Sequence, residues 1–212
     1  MKKFSVLAIL VYIFMSNLLF VNLQSQINNF IVVKVGNTIV TSVDIQNQII
    51  TNLIVNKQEL TQLNIDKNKN FSVQSLIRKS IKKSEIDKYK ITNYNPADLQ
   101  KYIENVAKNL NTDQNGLKEI FKQAKIDYDS FVENYKVELL WNTLIFSLYQ
   151  NQTNINMVEV NNEIENLKEN TNNDELKKLK EAVINRKREE KFQLFSRSHF
   201  TNLENTININ FQ

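Results

Sequence analysis

The length, composition and charge of this 212-residue chain exclude several classes of protein. The sequence has no cysteine, which excludes disulfides, thiolate catalysis and cysteine-rich zinc sites. The formal net charge of +4 falls to +2 without Lys2 and Lys3, and both signs are interspersed along the rest, so a nucleic-acid partner is not expected. Two glycines and one proline argue against a many-turned β fold and against a glycine-rich phosphate loop.

The first 25 residues carry the pattern of an export signal. Lys2 and Lys3 precede an apolar run from Phe4 to Leu23, as in a secretory signal peptide, and Ser25 is the best position for cleavage. The same run is about as long as a membrane-spanning helix, so an uncleaved N-terminal membrane anchor is the alternative. In both cases residues 26–212 are expected outside the cytoplasm, and only residues 4–23 of an uncleaved chain would contact the membrane.

A β-hairpin that runs directly into a helix is predicted from residue 31 onward. Alternating residues from Ile31 to Val35 indicate a strand, Gly36-Asn37 suits a tight turn, and Thr38 to Val40 forms a second strand. Thr41 is placed to cap a helix whose first turn contains Asp44. The apolar residues that follow at helical spacing are Ile45, Ile49, Ile50, Leu53 and Ile54.

Four further helices are predicted between residues 72 and 150. A polar stretch over residues 56–70 separates them from the hairpin and first helix and is interpreted as a loop. Capping residues and a proline at a first helical position mark the helix starts. The expected cap or first residues of the four helices are Ser72, Asn95 with Pro96, Thr112 and Asp127. The last of these helices is predicted to run to about Gln150.

The C-terminal part contains a linker and a closing segment. Residues 151–173 are rich in Asn, Gln and Glu and are interpreted as a linker or one short helix. A last helix is predicted from Asp174, followed by a strand from Thr206 to Phe211 in which apolar residues alternate with asparagine. Because the backbone groups of a lone strand need partners, we expect this strand to join the N-terminal hairpin, with the last helix packed on the N-terminal helices.

This order of elements resembles the N-terminal module of SurA-type periplasmic chaperones. In that family a V-x-N-x-x-I-x-x-x-D-I pattern opens the mature chain, and this sequence stays close to it at Val35, Asn37, Val40, Asp44 and Ile45. The resemblance covers residues 30 to about 150, and its further matching positions are Ile91, Thr92, Leu99, Ile103, Leu117, Phe131, Leu139 and Leu140. It implies a mainly α fold with a small antiparallel β element. Residues 26–150 would form the helical module, and residues 174–212 would complete it.

The parvulin prolyl-isomerase domains that SurA-type proteins usually carry are not expected here. The space between Gln150 and Asp174 is too short for such a domain, and the chain has one histidine where parvulin sites use a pair. His199 is interpreted as a structural residue at the end of the last helix. We therefore predict no enzyme, no catalytic residue, no metal and no cofactor; a prolyl isomerase is an alternative that rests on family membership alone.

A binding surface is predicted along the helix that starts at Asp127, because its second half is apolar nearly all round. One interpretation is that the last helix and the hairpin cover it completely. The other is that part of it lines a groove for extended segments of unfolded proteins. The side chains predicted to bind such clients are Phe121, Tyr128, Tyr135, Trp141, Leu144 and Tyr149.

The resemblance and the apolar helix together predict a periplasmic chaperone that works without ATP. Its expected partners are unfolded or partly folded exported polypeptides, among them outer-membrane β-barrel proteins. The alternative is an assembly or adaptor protein anchored in the inner membrane, whose helical module binds one fixed partner.

Overall fold

The computed structural model describes residues 29–167 and 173–212, without the side chains of residues 166, 167 and 173. Within these ranges the fold is mainly α with one small antiparallel sheet, as predicted. The signal peptide or anchor predicted for residues 1–25 lies outside them. In chain order the elements are β1 (Ile31–Val35), β2 (Thr38–Thr41), α1 (Ser42–Val55), α2 (Gln62–Lys88), α3 (Pro96–Asn109), α4 (Gln114–Gln123), α5 (Tyr128–Tyr149), a 3-10 turn (Gln150–Gln152), α6 (Met157–Leu167), α7 (Asn173–Thr206) and β3 (Ile209–Phe211).

The two ends of the described chain meet in one three-stranded sheet. The strand order is β2-β1-β3, and both neighbours of β1 run antiparallel to it. Val33 faces Phe211 across β1 and β3, and Lys34 faces Asn210. The predicted pairing of the C-terminal strand with the hairpin is therefore confirmed. The strand is shorter than predicted, because α7 continues to Thr206 and leaves three residues to pair.

Helix α1 starts with the capping box that the sequence predicted. The Asp44 amide donates to Thr41 Oγ1 at 3.2 Å, and the Thr41 amide donates to Asp44 Oδ2 at 2.8 Å. These two bonds satisfy backbone donors that the first turn of a helix cannot pair internally. The helix then buries its apolar face against the sheet and α2, and this first core contains Val33, Val35, Val40, Ile45, Ile49, Leu53, Ile77 and Ile81.

Helix α2 begins at Gln62 rather than near Ser72, so most of the loop predicted over residues 56–70 was wrong. The Asn64 amide donates to Thr61 Oγ1 at 3.3 Å, so Thr61 caps the helix. The first two turns have little apolar periodicity, because Ile65 is the residue that packs against the first core there. Periodicity alone therefore could not show this extension.

Side-chain caps also start the next three helices. Asn95 caps α3 and Asp127 caps α5, as predicted. The cap of α4 is Asp113 and not Thr112, because the carboxylate of Asp113 accepts the bond from the Gly116 amide at 2.8 Å. Together these helices build a second core from Ile103, Val106, Ala107, Leu117, Phe121, Ile126 and Phe131.

Helix α7 packs over the apolar half of α5. The third core lies beneath it and contains Ile86, Val137, Leu140, Trp141, Leu144 and Ile145, with Phe192, Phe195, Phe200 and Leu203 of α7 against them. The interpretation that the last helix covers α5 therefore holds for most of the apolar face. The other cover comes from α2, through Ile86, and not from the hairpin, and Phe146 stays exposed. Within residues 151–173, helix α6 packs on α7 through Val160, Ile164 and Val183.

Candidate functional site

An open groove runs between α2, α5 and α7, and we refer to it as the central groove. It consists of two adjoining cavities of about 560 and 580 Å³, which share Arg78, Lys82 and Glu138 as lining residues. Ligand pockets in proteins commonly have volumes of this size. The remaining lining residues are Asn70, Phe71, Gln74 and Ser75 from α2, Trp141 and Asn142 from α5, and Gln193, Ser196, Arg197, Phe200, Thr201 and Glu204 from α7.

Trp141 fixes the floor of the central groove. Its side chain is 1% exposed, and its indole Nε1 donates to Ser196 Oγ on α7 at 2.8 Å. The Phe200 ring meets it edge-on, with the ring centroids 6.2 Å apart, and Lys82 Nζ lies 5.6 Å from the indole ring. A buried tryptophan with a satisfied N–H holds its neighbours in one arrangement. The groove is thus formed over a rigid contact between α5 and α7.

An ion pair from α2 to α5 joins one wall of the central groove to its floor. Lys82 Nζ lies 2.5 Å from Glu138 Oε2, and the lysine side chain is the more buried of the two. Charge-assisted hydrogen bonds of this kind are shorter and stronger than neutral ones. Lys82 and Glu138 are therefore paired with each other within the protein.

A largely buried polar cluster outside the groove lining joins the same three helices. Glu85 of α2 is 5% exposed and accepts from Lys88 Nζ at 3.1 Å. His199 of α7 has Nδ1 2.8 Å from the Tyr149 hydroxyl and Nε2 3.4 Å from Glu85 Oε1. Among the described residues Nε2 has no hydrogen-bond partner of good geometry. His199 was predicted at the end of the last helix, but α7 continues to Thr206, so its contacts are with side chains and not with the helix end.

We expect Tyr149→Phe to lower the free energy of unfolding by about 1 kcal/mol, since it removes the hydroxyl partner of the partly buried His199 Nδ1. The substitution keeps the ring that stacks on Phe195, with centroids 4.9 Å apart. Urea unfolding followed by circular dichroism measures the change. Tyr89→Phe, at an exposed position of α2's C-cap, is the matched control and should change stability little. Equal effects of the two substitutions would contradict the assigned contact.

The structure places the six predicted client-binding residues in two separate clusters. Phe121 is fully buried in the second core, with the Tyr128 ring edge-on at 5.9 Å, and Tyr135 stacks on Tyr102 of α3 at 3.7 Å. The other three belong to the third core: Trp141 and Leu144 are buried there, and Tyr149 is partly buried at its edge. Of the six, Trp141 also lines the central groove. Burial raises the pKa of the Tyr128 and Tyr149 phenols.

Several groove residues were not identified from the sequence. Phe71 is 62% exposed and lines the second cavity, but it fell at the edge of the predicted loop. Arg78, Arg197 and Phe200 were not singled out as site residues, because no local pattern shows that α2 and α7 face each other across α5. The sequence signal for Phe71 is an apolar residue out of step with the apolar face that Val73 and Ile77 define on the same helix.

A second concavity lies between α1 and the start of α2. Its volume is about 330 Å³, and it is mostly apolar. The apolar residues that line it are Ile45, Ile49, Ile50, Leu60 and Ile65. The exposed side chains of Leu60 and Leu63 extend the apolar surface beside it. This pocket adds apolar area on the sheet side of α2, away from the Lys82–Glu138 ion pair.

No helix within residues 29–167 and 173–212 is long and apolar enough to cross a bilayer. In the same ranges no group of three or more His, Asp or Glu side chains is placed to hold a metal ion.

Among solved structures, the chain is similar to one of two structurally related SurA-like chaperones of Campylobacter jejuni, described as the virulence factor PEB4 and the periplasmic protein Cj1289. The two chains are 16% identical, 87% of this chain and 99% of that chain are covered, and the TM-score is 0.43. No protein-family model and no curated protein matches the sequence. At this identity and TM-score the likeness carries no weight for function.

Proposed function

We propose that this protein is a chaperone that holds unfolded exported polypeptides in the periplasm without using ATP. The observation that carries the proposal is the central groove, an open channel of two joined cavities with an exposed phenylalanine, Phe71, at one end and the Trp141–Phe200 contact in its floor. The sequence pattern from Val35 to Ile45, which resembles that of SurA-type chaperones, supports the same class. No catalytic residue is assigned.

The chemistry of the groove suits weak and reversible capture. Burial of apolar surface stabilises a complex by about 25 cal/mol per Å², and the ordering of client and groove offsets much of this. The uncharged polar side chains of the groove, such as Gln74, Asn142 and Gln193, can also pair with the backbone of an extended client. Fast exchange follows, because each client segment buries little area.

The proposal predicts that micromolar protein suppresses aggregation of an outer-membrane β-barrel protein diluted from urea, in the absence of nucleotide. Light scattering of the client measures the effect. We expect Phe71→Ser to weaken the suppression several-fold, because the substitution removes exposed apolar area at the mouth of the groove. Phe146→Ser is the matched control: Phe146 is 57% exposed but lies outside the groove, so its loss should leave the suppression unchanged.

Two results would contradict the proposal. Unchanged client aggregation at micromolar protein would instead favour an adaptor with one fixed partner. Equal loss of suppression in the Phe71→Ser and Phe146→Ser variants would show that suppression depends on general surface hydrophobicity. The groove would then not be the binding site.

A further inference from the structure

Two arginines face the central groove from opposite walls. Arg78 of α2 and Arg197 of α7 both line the cavity of about 560 Å³, and both are exposed to solvent. Within the part of the chain that the structure describes, neither lies within 4.0 Å of a carboxylate. Lys82, the third cation of the groove, is held by Glu138. The unpaired charges that line this cavity are therefore the two arginines and Glu204.

The guanidinium group is suited to bind a carboxylate. Its planar arrangement of N–H donors matches the two oxygens of a carboxylate, and such pairs are among the stronger hydrogen bonds in proteins. Apolar surface lies beside these donors, because Phe200, three residues from Arg197 on α7, lines the same cavity. A ligand that carries a carboxylate next to an apolar group would satisfy both features.

The length of the groove fits an extended peptide. Phe71 and Arg78 are seven residues apart and thus lie on the same face of α2. Two helical turns separate them by about 10 Å. An extended chain covers that distance in about three residues. The spacing favours a client segment with an acidic residue about three positions from a large apolar one.

We propose that the central groove prefers extended polypeptide segments in which an acidic side chain lies about three residues from a large apolar side chain. Arg78 and Arg197 bind the carboxylate, and Phe71 contacts the apolar side chain. This preference rests on the proposed chaperone function and specifies which segments of a client the groove takes.

Peptide binding to the full-length protein tests the preference. The probes are two fluorescent peptides of about eight residues with amidated C-termini, identical except that Glu in one is Gln in the other, and anisotropy gives their dissociation constants. We expect the Glu peptide to bind the wild-type protein about tenfold more tightly than the Gln peptide. The ratio should fall below about threefold in Arg78→Gln/Arg197→Gln and stay unchanged in Arg188→Gln, an exposed arginine of α7 outside the groove.

Glu204→Gln is expected to raise the affinity for the Glu peptide, and a folding defect in the variant could not produce that result. Removal of the unpaired acid from the cavity should tighten binding of the Glu peptide several-fold and leave the Gln peptide unaffected. Equal affinities of the two peptides for the wild-type protein would overturn the proposed preference, as would a Glu preference that survives loss of both arginines. If neither peptide binds but client aggregation is still suppressed, the preference fails and the chaperone function stands. Absence of both peptide binding and aggregation suppression would contradict both proposals.

Discussion

Trp141→Ala is expected to lower the free energy of unfolding by about 3–5 kcal/mol. The indole is buried at the junction of α5 and α7, it fills the centre of the third core, and its N–H is bonded to Ser196. The substitution leaves a cavity and an unpaired serine hydroxyl at the same place, and both effects destabilise the contact between the two helices.

Urea unfolding followed by far-ultraviolet circular dichroism measures the effect of Trp141→Ala, since the variant has no tryptophan to report by fluorescence. Phe146→Ala is the control on the same helix. Because Phe146 is largely exposed, its truncation should cost well under about 1 kcal/mol. A small loss of stability at Trp141, similar to the loss at Phe146, would show that α7 does not cover α5 as described.

A disulfide between Lys34→Cys and Asn210→Cys should form readily and raise the free energy of unfolding by about 2–4 kcal/mol. The two residues are opposite each other on β1 and β3 and are exposed. Directly paired residues in antiparallel strands have Cα atoms about 4.5–5.5 Å apart, within the range that a disulfide spans. The natural chain has no cysteine that would compete.

The matched control for the disulfide is Lys34→Cys with Asn208→Cys, which is two residues out of register. Such a diagonal pair is separated by about 7–8 Å, beyond the usual reach of a disulfide. Oxidation followed by electrophoresis without reductant distinguishes the two double variants. Equal cross-linking of both pairs, or none in either, would contradict the register of β3 against β1.

The parts of the fold that the sequence predicted depend on local chemistry. Thr41 with Asp44, Asn95 and Asp127 each satisfy free amides within three residues of themselves, so their caps can be recognised without knowledge of the rest of the chain. The pairing of the C-terminal strand was predicted by elimination, since β1 and β2 were the other strand candidates. The start of α2 was missed because its first turns bury little more than Ile65.

The candidate site was harder to predict, because it is built from residues far apart in the chain. The apolar second half of α5 was recognised, but α7 and α2 bury most of it, and exposure is decided by that packing. Arg78 and Arg197 share a cavity only because both helices flank α5. No single stretch of sequence contains that arrangement. Phe71 was missed as well, because the packing of α2 decides that this side chain stays exposed.

Photo-cross-linking to an unfolded client tests the central groove most directly. A photoreactive phenylalanine analogue at Asn142, in the groove, is compared with the same residue at Asn161, exposed on α6. With a urea-denatured β-barrel protein as client, illumination should give a strong covalent adduct at position 142 and a weak one at position 161, and the difference should vanish with a folded client. Equal adducts at both positions, or none at position 142, would contradict binding in the groove.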